Sequence, residues 1–169
     1  LFIGLMLSEA GPKEIEFNNR FGDPETQSVL MRLDSDLLDI FLAVCDNKLA
    51  DVEIKWKEER AVCVVLASGG YPGSYEKGKL ISGLGDVDED VVVFHAGTKF
   101  APMPEGSKCA SCADDCEMKA IATAGGRVLG VTAMGATHDE ARAKAFDNVK
   151  RISFEGMQYR NDIGLINRH

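Results

Sequence analysis

Between Glu14 and Glu25 the chain reads EIEFNNRFGDPE, which gathers four carboxylates, one Arg and two Asn into twelve residues. If Lys13 to Phe17 is extended, its period of two sets Glu14, Glu16 and Asn18 on one face and Ile15 and Phe17 on the other. A carboxylate and a carboxamide two residues apart then offer hard oxygen ligands to one side. Mg²⁺ favours such a set, taking one or two protein carboxylates and completing its shell with water and substrate phosphates. A solvated strand face has the same pattern, so spacing alone leaves both readings open. Arg20, just beyond, is able to hold a phosphate or carboxylate in its planar fork. Asp23 either receives an ammonium group or caps a helix that starts at Pro24.

Those side chains need a hairpin and a helix to hold them. Leu1 to Leu7 and Lys13 to Phe17 flank SEAGP, whose Gly-Pro is turn chemistry, so an antiparallel hairpin is expected, its apolar face against a core. Pro24 suits the first turn of a helix reaching about Met31. Ser35 is placed to cap a second helix, in which Leu37, Leu38, Phe41, Leu42 and Cys45 recur at three- and four-residue spacing. Further strands are expected at VEIKW, AVCVVLAS, VVVFHAG and RVLGVTAMG, with a glycine-rich turn, GGYPGSYEKG, after the second of them. Thr137 and Glu140 form a capping-box pattern for a helix to about Ile152, with Ala141, Ala145 and Val149 facing inward, and a short strand is expected from Ile152 to Phe154. Strands outnumber helices and are joined largely by turns, which predicts an α+β architecture with antiparallel sheets.

Composition bounds what this can do. The 169 residues are 45% apolar and 27% charged, with a formal charge of −8. That is the balance of an ordinary globular chain. A nucleic-acid partner needs a basic face, and the Lys and Arg residues form no run. No stretch of 18 apolar residues spans a membrane. The odd count of five cysteines does not suggest a disulfide framework and makes a reducing, cytoplasmic setting the simpler expectation. The segment from Phe100 to Ala122 reads as a loop longer by roughly fifteen residues than a hairpin connection requires. It holds Cys109, Cys112 and Cys116, whose C-x-x-C spacing has too few partners for a zinc site, so free thiols are expected over a structural metal. His95 and Trp56 read as packing residues.

The stretch GLMLSEAGPKEIEFNNRFGDPETQSVLMRLDSDLL, followed in order by VVLASGGYPGSYEKG, VFHAGT, GGRVLGVTAMG and YRNDIG, resembles the phosphoribosylamine–glycine ligase family over nearly the whole chain. The resemblance implies the end of an ATP-grasp domain (antiparallel strands plus helices) at residues 1–50, then a small α+β C-terminal domain at 51–169 with a Cys-containing loop insertion at 100–122. It implies an ATP-dependent ligase that joins glycine to 5-phosphoribosylamine through a glycyl phosphate, in de novo purine biosynthesis. Glu16 and Asn18 match the family's Mg²⁺ (or Mn²⁺) ligands, Arg20 and Asp23 would serve catalysis, and Gly69 and Gly70 would approach the nucleotide. ATP would be the co-substrate. The family's adenine-binding region and phosphate lid are absent from this stretch, so the N-terminal part of the same enzyme is the expected partner and the 169 residues alone are expected to be inactive. Another ATP-grasp ligase or carboxylase, or a non-catalytic module derived from one, is the alternative.

Overall fold

The computed structural model describes residues 2–102 and 119–165. The chain divides into two units, Leu1–Lys57 and Glu58–His169.

The first unit opens with the expected hairpin, β1 (Phe2–Ser8) against β2 (Gly11–Asn18), antiparallel. Its turn closes where Gly11 takes a φ of +93°, a value glycine adopts without a Cβ penalty, and the Ser8 hydroxyl donates to the Gly11 carbonyl at 2.7 Å. Helix α1 (Glu25–Arg32) follows, with Pro24 at its N-cap. Helix α2 (Leu37–Cys45) is capped by Asp36, whose carboxylate accepts from Leu38 N at 2.7 Å. The expected cap, Ser35, is instead used sideways, its hydroxyl accepting from Lys55 N at 2.8 Å. The carboxylate one residue later reaches the free amides and leaves the serine to tie down the 52–56 stretch. That stretch is not the expected strand. It makes a single bridge, Leu33 to Trp56, with Asp34 N on Lys55 O and Lys57 N on Arg32 O, because α1 and α2 claim the residues on either side of its partner. No described helix is long and apolar enough to cross a membrane.

The second unit is built on β3 (Arg60–Ala67), β4 (Val91–His95), β5 (Thr98–Pro102), β6 (Lys119–Thr123), β7 (Arg127–Gly135) and α3 (His138–Val149). Strand β7 is central, antiparallel to both neighbours in the order β3-β7-β4. Its residues from Val128 to Ala133 are all buried, which is why RVLGVTAMG is apolar along its length instead of alternating. Strands β5 and β6 form a separate two-stranded ribbon. Residues 100–102 and 119–122, inside the interval expected to be loop, are therefore strand, while Cys109, Cys112 and Cys116 lie outside the described residues.

Helix α3 carries the full capping box, Thr137 accepting from Glu140 N and Glu140 accepting from Thr137 N, and buries Ala141, Ala145 and Val149. It ends three residues before Ile152, and Ser153 makes one bridge to Ser82 where a short strand was expected. Its fully buried Asn148 is satisfied on every side: Oδ1 accepts from Asp88 N at 2.8 Å, and Nδ2 donates to Asp88 Oδ2 and Lys144 O. Arg142 and His138 hold the final turn, donating to the carbonyls of Ile163 (2.9 Å) and Gly164 (2.6 Å). The α+β class with antiparallel sheets is the observed one.

Candidate functional site

The acidic face of β2 is shaped by an irregularity that alternation does not reveal. Gly4 faces Glu16 and Phe2 faces Asn18, but Leu5 faces Glu14, so Ile15 is an extra residue in β2. A bulge of this kind re-aims the side chains beside it. Since Leu5 points away from Gly4, the register leaves Glu16 and Asn18 together and turns Glu14 to the opposite face. The expected triplet is thus a pair. Gly4 is what lets Glu16 lie across the hairpin, because a Cβ there would stand 3.1 Å from Glu16 Cγ. Sequence reasoning overlooked Gly4, although an isolated glycine inside a strand pattern is the usual sign of a bulge or a close approach.

Glu16 is exposed and Asn18 half-buried. The Asn18 amide nitrogen is shut off from solvent and has no hydrogen-bond partner among the described residues. A half-turn of the carboxamide puts Oδ1 in that position, an unsatisfied hard oxygen beside a carboxylate on the same strand face. Among the described residues no three His, Cys, Asp or Glu side chains cluster to hold a metal. The donor set fits a Mg²⁺-type ion that takes few protein ligands and does not fit one that needs a protein cage.

Beyond β2 the chain turns through Arg20 to Pro24. The Arg20 guanidinium donates to the Phe21 carbonyl at 2.8 Å. Gly22 is buried, its carbonyl accepting from both the amide and the hydroxyl of Thr26, and the Glu25 carboxylate folds back over its Cα. Asp23 accepts from Gln27 Nε2 at 3.3 Å. Arg20 and Asp23 therefore stand on a turn pinned to the first turn of α1, directly after the Glu16/Asn18 strand.

Gly69 and Gly70 belong to the second unit, where β3 runs out into GGYPG. Each has a local packing reason to be glycine. A Cβ on Gly69 would meet the Gly156 carbonyl at 2.7 Å, and Gly70 has a φ of +94° with the Ser74 carbonyl standing where its Cβ would be. Ser68 fixes the start of this turn, its buried hydroxyl donating to Gly125 O at 2.9 Å. His95, read from sequence as packing, is exposed at the end of β4, and its Nδ1 lies 3.1 Å from Thr98 Oγ1.

Residues 61–166 match the family model described as "Phosphoribosylglycinamide synthetase, C domain". The phosphoribosylamine–glycine ligase of Caldanaerobacter subterraneus subsp. tengcongensis is 46% identical over 163 residues, covering 96% of this chain and 35% of that protein. The corresponding ligase of Caulobacter vibrioides is 49% identical over 168 residues, covering 97% of this chain and 35% of its own length. In the crystal structure of the Thermotoga maritima phosphoribosylamine–glycine ligase, a stretch 32% identical superposes with a TM-score of 0.65, covering 95% of this chain and 36% of that one. The chain thus spans about a third of the length of the relatives it matches, and it belongs to the phosphoribosylglycinamide synthetase family, with residues 61–166 its C domain.

Proposed function

We propose that this chain is the C-terminal portion of an ATP-dependent ligase that joins glycine to 5-phosphoribosylamine, and that its first fifty residues are the closing piece of an ATP-grasp domain. The observation that carries the reading is alignment over nearly the whole chain with proteins named for that reaction. The chemistry requires a glycine carboxylate to take the γ-phosphoryl group of ATP, releasing ADP. The amine then attacks the glycyl carbonyl and expels phosphate, forming the amide. Both steps bring anions together, so charge neutralisation is the main electrostatic task.

In this reading Glu16 and Asn18 would hold a Mg²⁺ (or Mn²⁺) ion, which would supply charge neutralisation for the ATP phosphates. Arg20 exchanges its bond to the Phe21 carbonyl for the phosphoryl or carboxylate oxygens, a charge-assisted contact stronger than the one it leaves. Asp23 faces the amine of an incoming substrate, and the glycines at 69 and 70 let backbone come close to a nucleotide. The upstream two-thirds that the relatives possess supplies the adenine site, and the working enzyme is cytoplasmic.

The test uses the ligase assembled from this chain and that upstream portion. Glu16→Gln keeps the shape of the side chain and removes its charge. It is expected to lower glycine-dependent ADP release at least about a hundredfold at saturating Mg²⁺, the scale of losing an electrostatic contact to the reacting phosphates. Near-wild-type turnover removes Glu16 from the metal site. The isolated 169 residues are expected to release no ADP.

A further inference from the structure

The turn from Arg20 to Pro24 meets one side chain whose bonding the main chain does not require. Gln27 lies in the first turn of α1, and its Nε2 donates to Asp23 Oδ1 at 3.3 Å. The path of the turn is fixed without that bond. The Gly22 carbonyl is held by the amide and the hydroxyl of Thr26, and the Glu25 carboxylate closes over the Gly22 Cα. The Gln27 bond therefore acts on the Asp23 side chain and not on the course of the backbone.

The same bond settles which end of the amide is which. A carboxylate only accepts, so the end toward Asp23 is the NH₂ group and the other end is the carbonyl oxygen. That oxygen, Oε1, is shut off from solvent and meets no donor among the described residues. A buried acceptor without a donor is destabilising, and few are left so unless another interaction holds them there. Reversing the amide would set an oxygen against the carboxylate, so the charge-assisted bond to Asp23 is what holds it. Gln27 is half-buried on its helix, whereas Asp23 is exposed. An exposed Asp side chain turns between staggered rotamers, and a hydrogen bond from a fixed neighbour selects among them.

We propose that Gln27 is a positioning residue of the ligase site: it selects the rotamer in which the Asp23 carboxylate meets the amine substrate, and it does not itself touch the reacting atoms. What Asp23 meets rests on the ligase reading. The hold of Gln27 on Asp23 does not.

Two measurements take these halves separately. In the ligase assembled from this chain and the upstream portion, Gln27→Met keeps the length of the side chain and removes the donor. It is expected to raise KM for 5-phosphoribosylamine and to lower kcat/KM for it about tenfold, the scale of one charge-assisted hydrogen bond, with KM for ATP unchanged. Gln27→Glu sets a second carboxylate beside Asp23 and is expected to lose more. Once Asp23→Ala has removed the carboxylate, Gln27→Met is expected to cost nothing further, since a residue that acts through another is silent when the other is gone. Additive losses in the double variant, or wild-type kcat/KM in Gln27→Met, overturn the proposal. In the 169-residue chain, NMR side-chain couplings are expected to report one Asp23 χ1 rotamer in the wild type and an average in Gln27→Met, with the amide shifts of residues 28–32 retained as the check that α1 is intact. An averaged Asp23 in the wild type, or an unchanged one in the variant, also overturns it. A wild-type assembly that makes no amide ends the ligase reading and removes the substrate from the proposal, while the rotamer result stands on its own, so the two fail separately.

Discussion

The two units are written in the same alphabet and end in opposite states. In residues 58–165 the apolar positions of β3, β7 and α3 converge on one core, with Val64, Leu66, Val131 and Val149 fully buried. In residues 2–57 the pattern is no weaker: α2 reads LLDIFLAVC and the hairpin alternates Ile15 and Phe17. Yet no apolar side chain there is buried, and Leu38 is 63% and Phe17 56% exposed. Apolar periodicity records that a face is made to be covered. It says nothing about what covers it, because the covering atoms belong to another part of sequence space. For this family the relatives' additional length supplies a natural candidate under the ligase reading.

The comparison can be broken most directly in the core. Leu66→Ala removes a fully buried side chain and is expected to cost about 2–5 kcal/mol in the unfolding of residues 58–165, read from denaturant or thermal melts. Leu38→Ala is expected to change the same chain by no more than about 0.5 kcal/mol, and to cost several times more in the assembled ligase. Equal effects of the two substitutions in the isolated chain remove the contrast.

Gly70→Ala comes next. Its φ of +94° and the Ser74 carbonyl beside it predict a loss of at least about 1 kcal/mol. A stability change near zero would show that the GGYPG turn relaxes freely. Thr137→Ala, which removes the cap of α3, is expected to cost about 1 kcal/mol. Replacing the Asp36 cap of α2 is expected to leave the melt of residues 58–165 untouched.

Acid adds a smaller effect confined to the C domain. Hydrogen bonds from Arg151 first, and from Asn148 second, hold the Asp88 carboxyl below its ordinary range. A carboxyl depressed in the folded state contributes stability above its unfolded value, near ~3.9, and loses it as pH falls through the folded value. Thermal stability of the wild-type chain should therefore drop more on acidification below about pH 4 than that of Asp88→Asn. Smallest of all, deleting the Cys109 to Cys116 segment is expected to shift stability by about 1 kcal/mol or less, the scale of a change in loop length. Stoichiometric zinc in protein purified without added metal would overturn that expectation.

How much of this was legible depended on whether the cause is local. The hairpin at SEAGP, the capping box at Thr137 and Glu140, and the inward stripe of α3 are each set by residues within a few positions of one another, and all were readable. The Ser35 cap was misplaced by one residue because two capping side chains stand side by side and only tertiary hydrogen bonds to Lys55 decide between them. VEIKW has strand composition but finds only Leu33 to pair with. On the site, Glu16 and Asn18 were visible as a spacing, whereas the loss of Glu14 from their face depends on a bulge at the Gly4/Leu5 step of the pairing, a relation between two strands. The partner of His95 was not readable, because the Thr98 hydroxyl lies across a turn between two sheets and no one-strand pattern contains that relation.

The glycine pair at the β4–β5 crossover has a consequence for how this domain is able to change over generations. A Cβ on Gly97 would stand 2.6 Å from Gly125 Cα, and one on Gly125 would stand 3.0 Å from Gly97 Cα. The first falls among backbone atoms of Gly125 and Arg127 that cannot move aside, whereas the second asks its neighbours to give by only a few tenths of an ångström. Distant substitutions combine nearly independently, but a touching pair does not. A side chain at 97 therefore requires the backbone around residues 125–127 to shift, so position 97 is the less replaceable of the two. Backbone hydrogen bonds across the same crossover keep His95 within reach of the Thr98 hydroxyl.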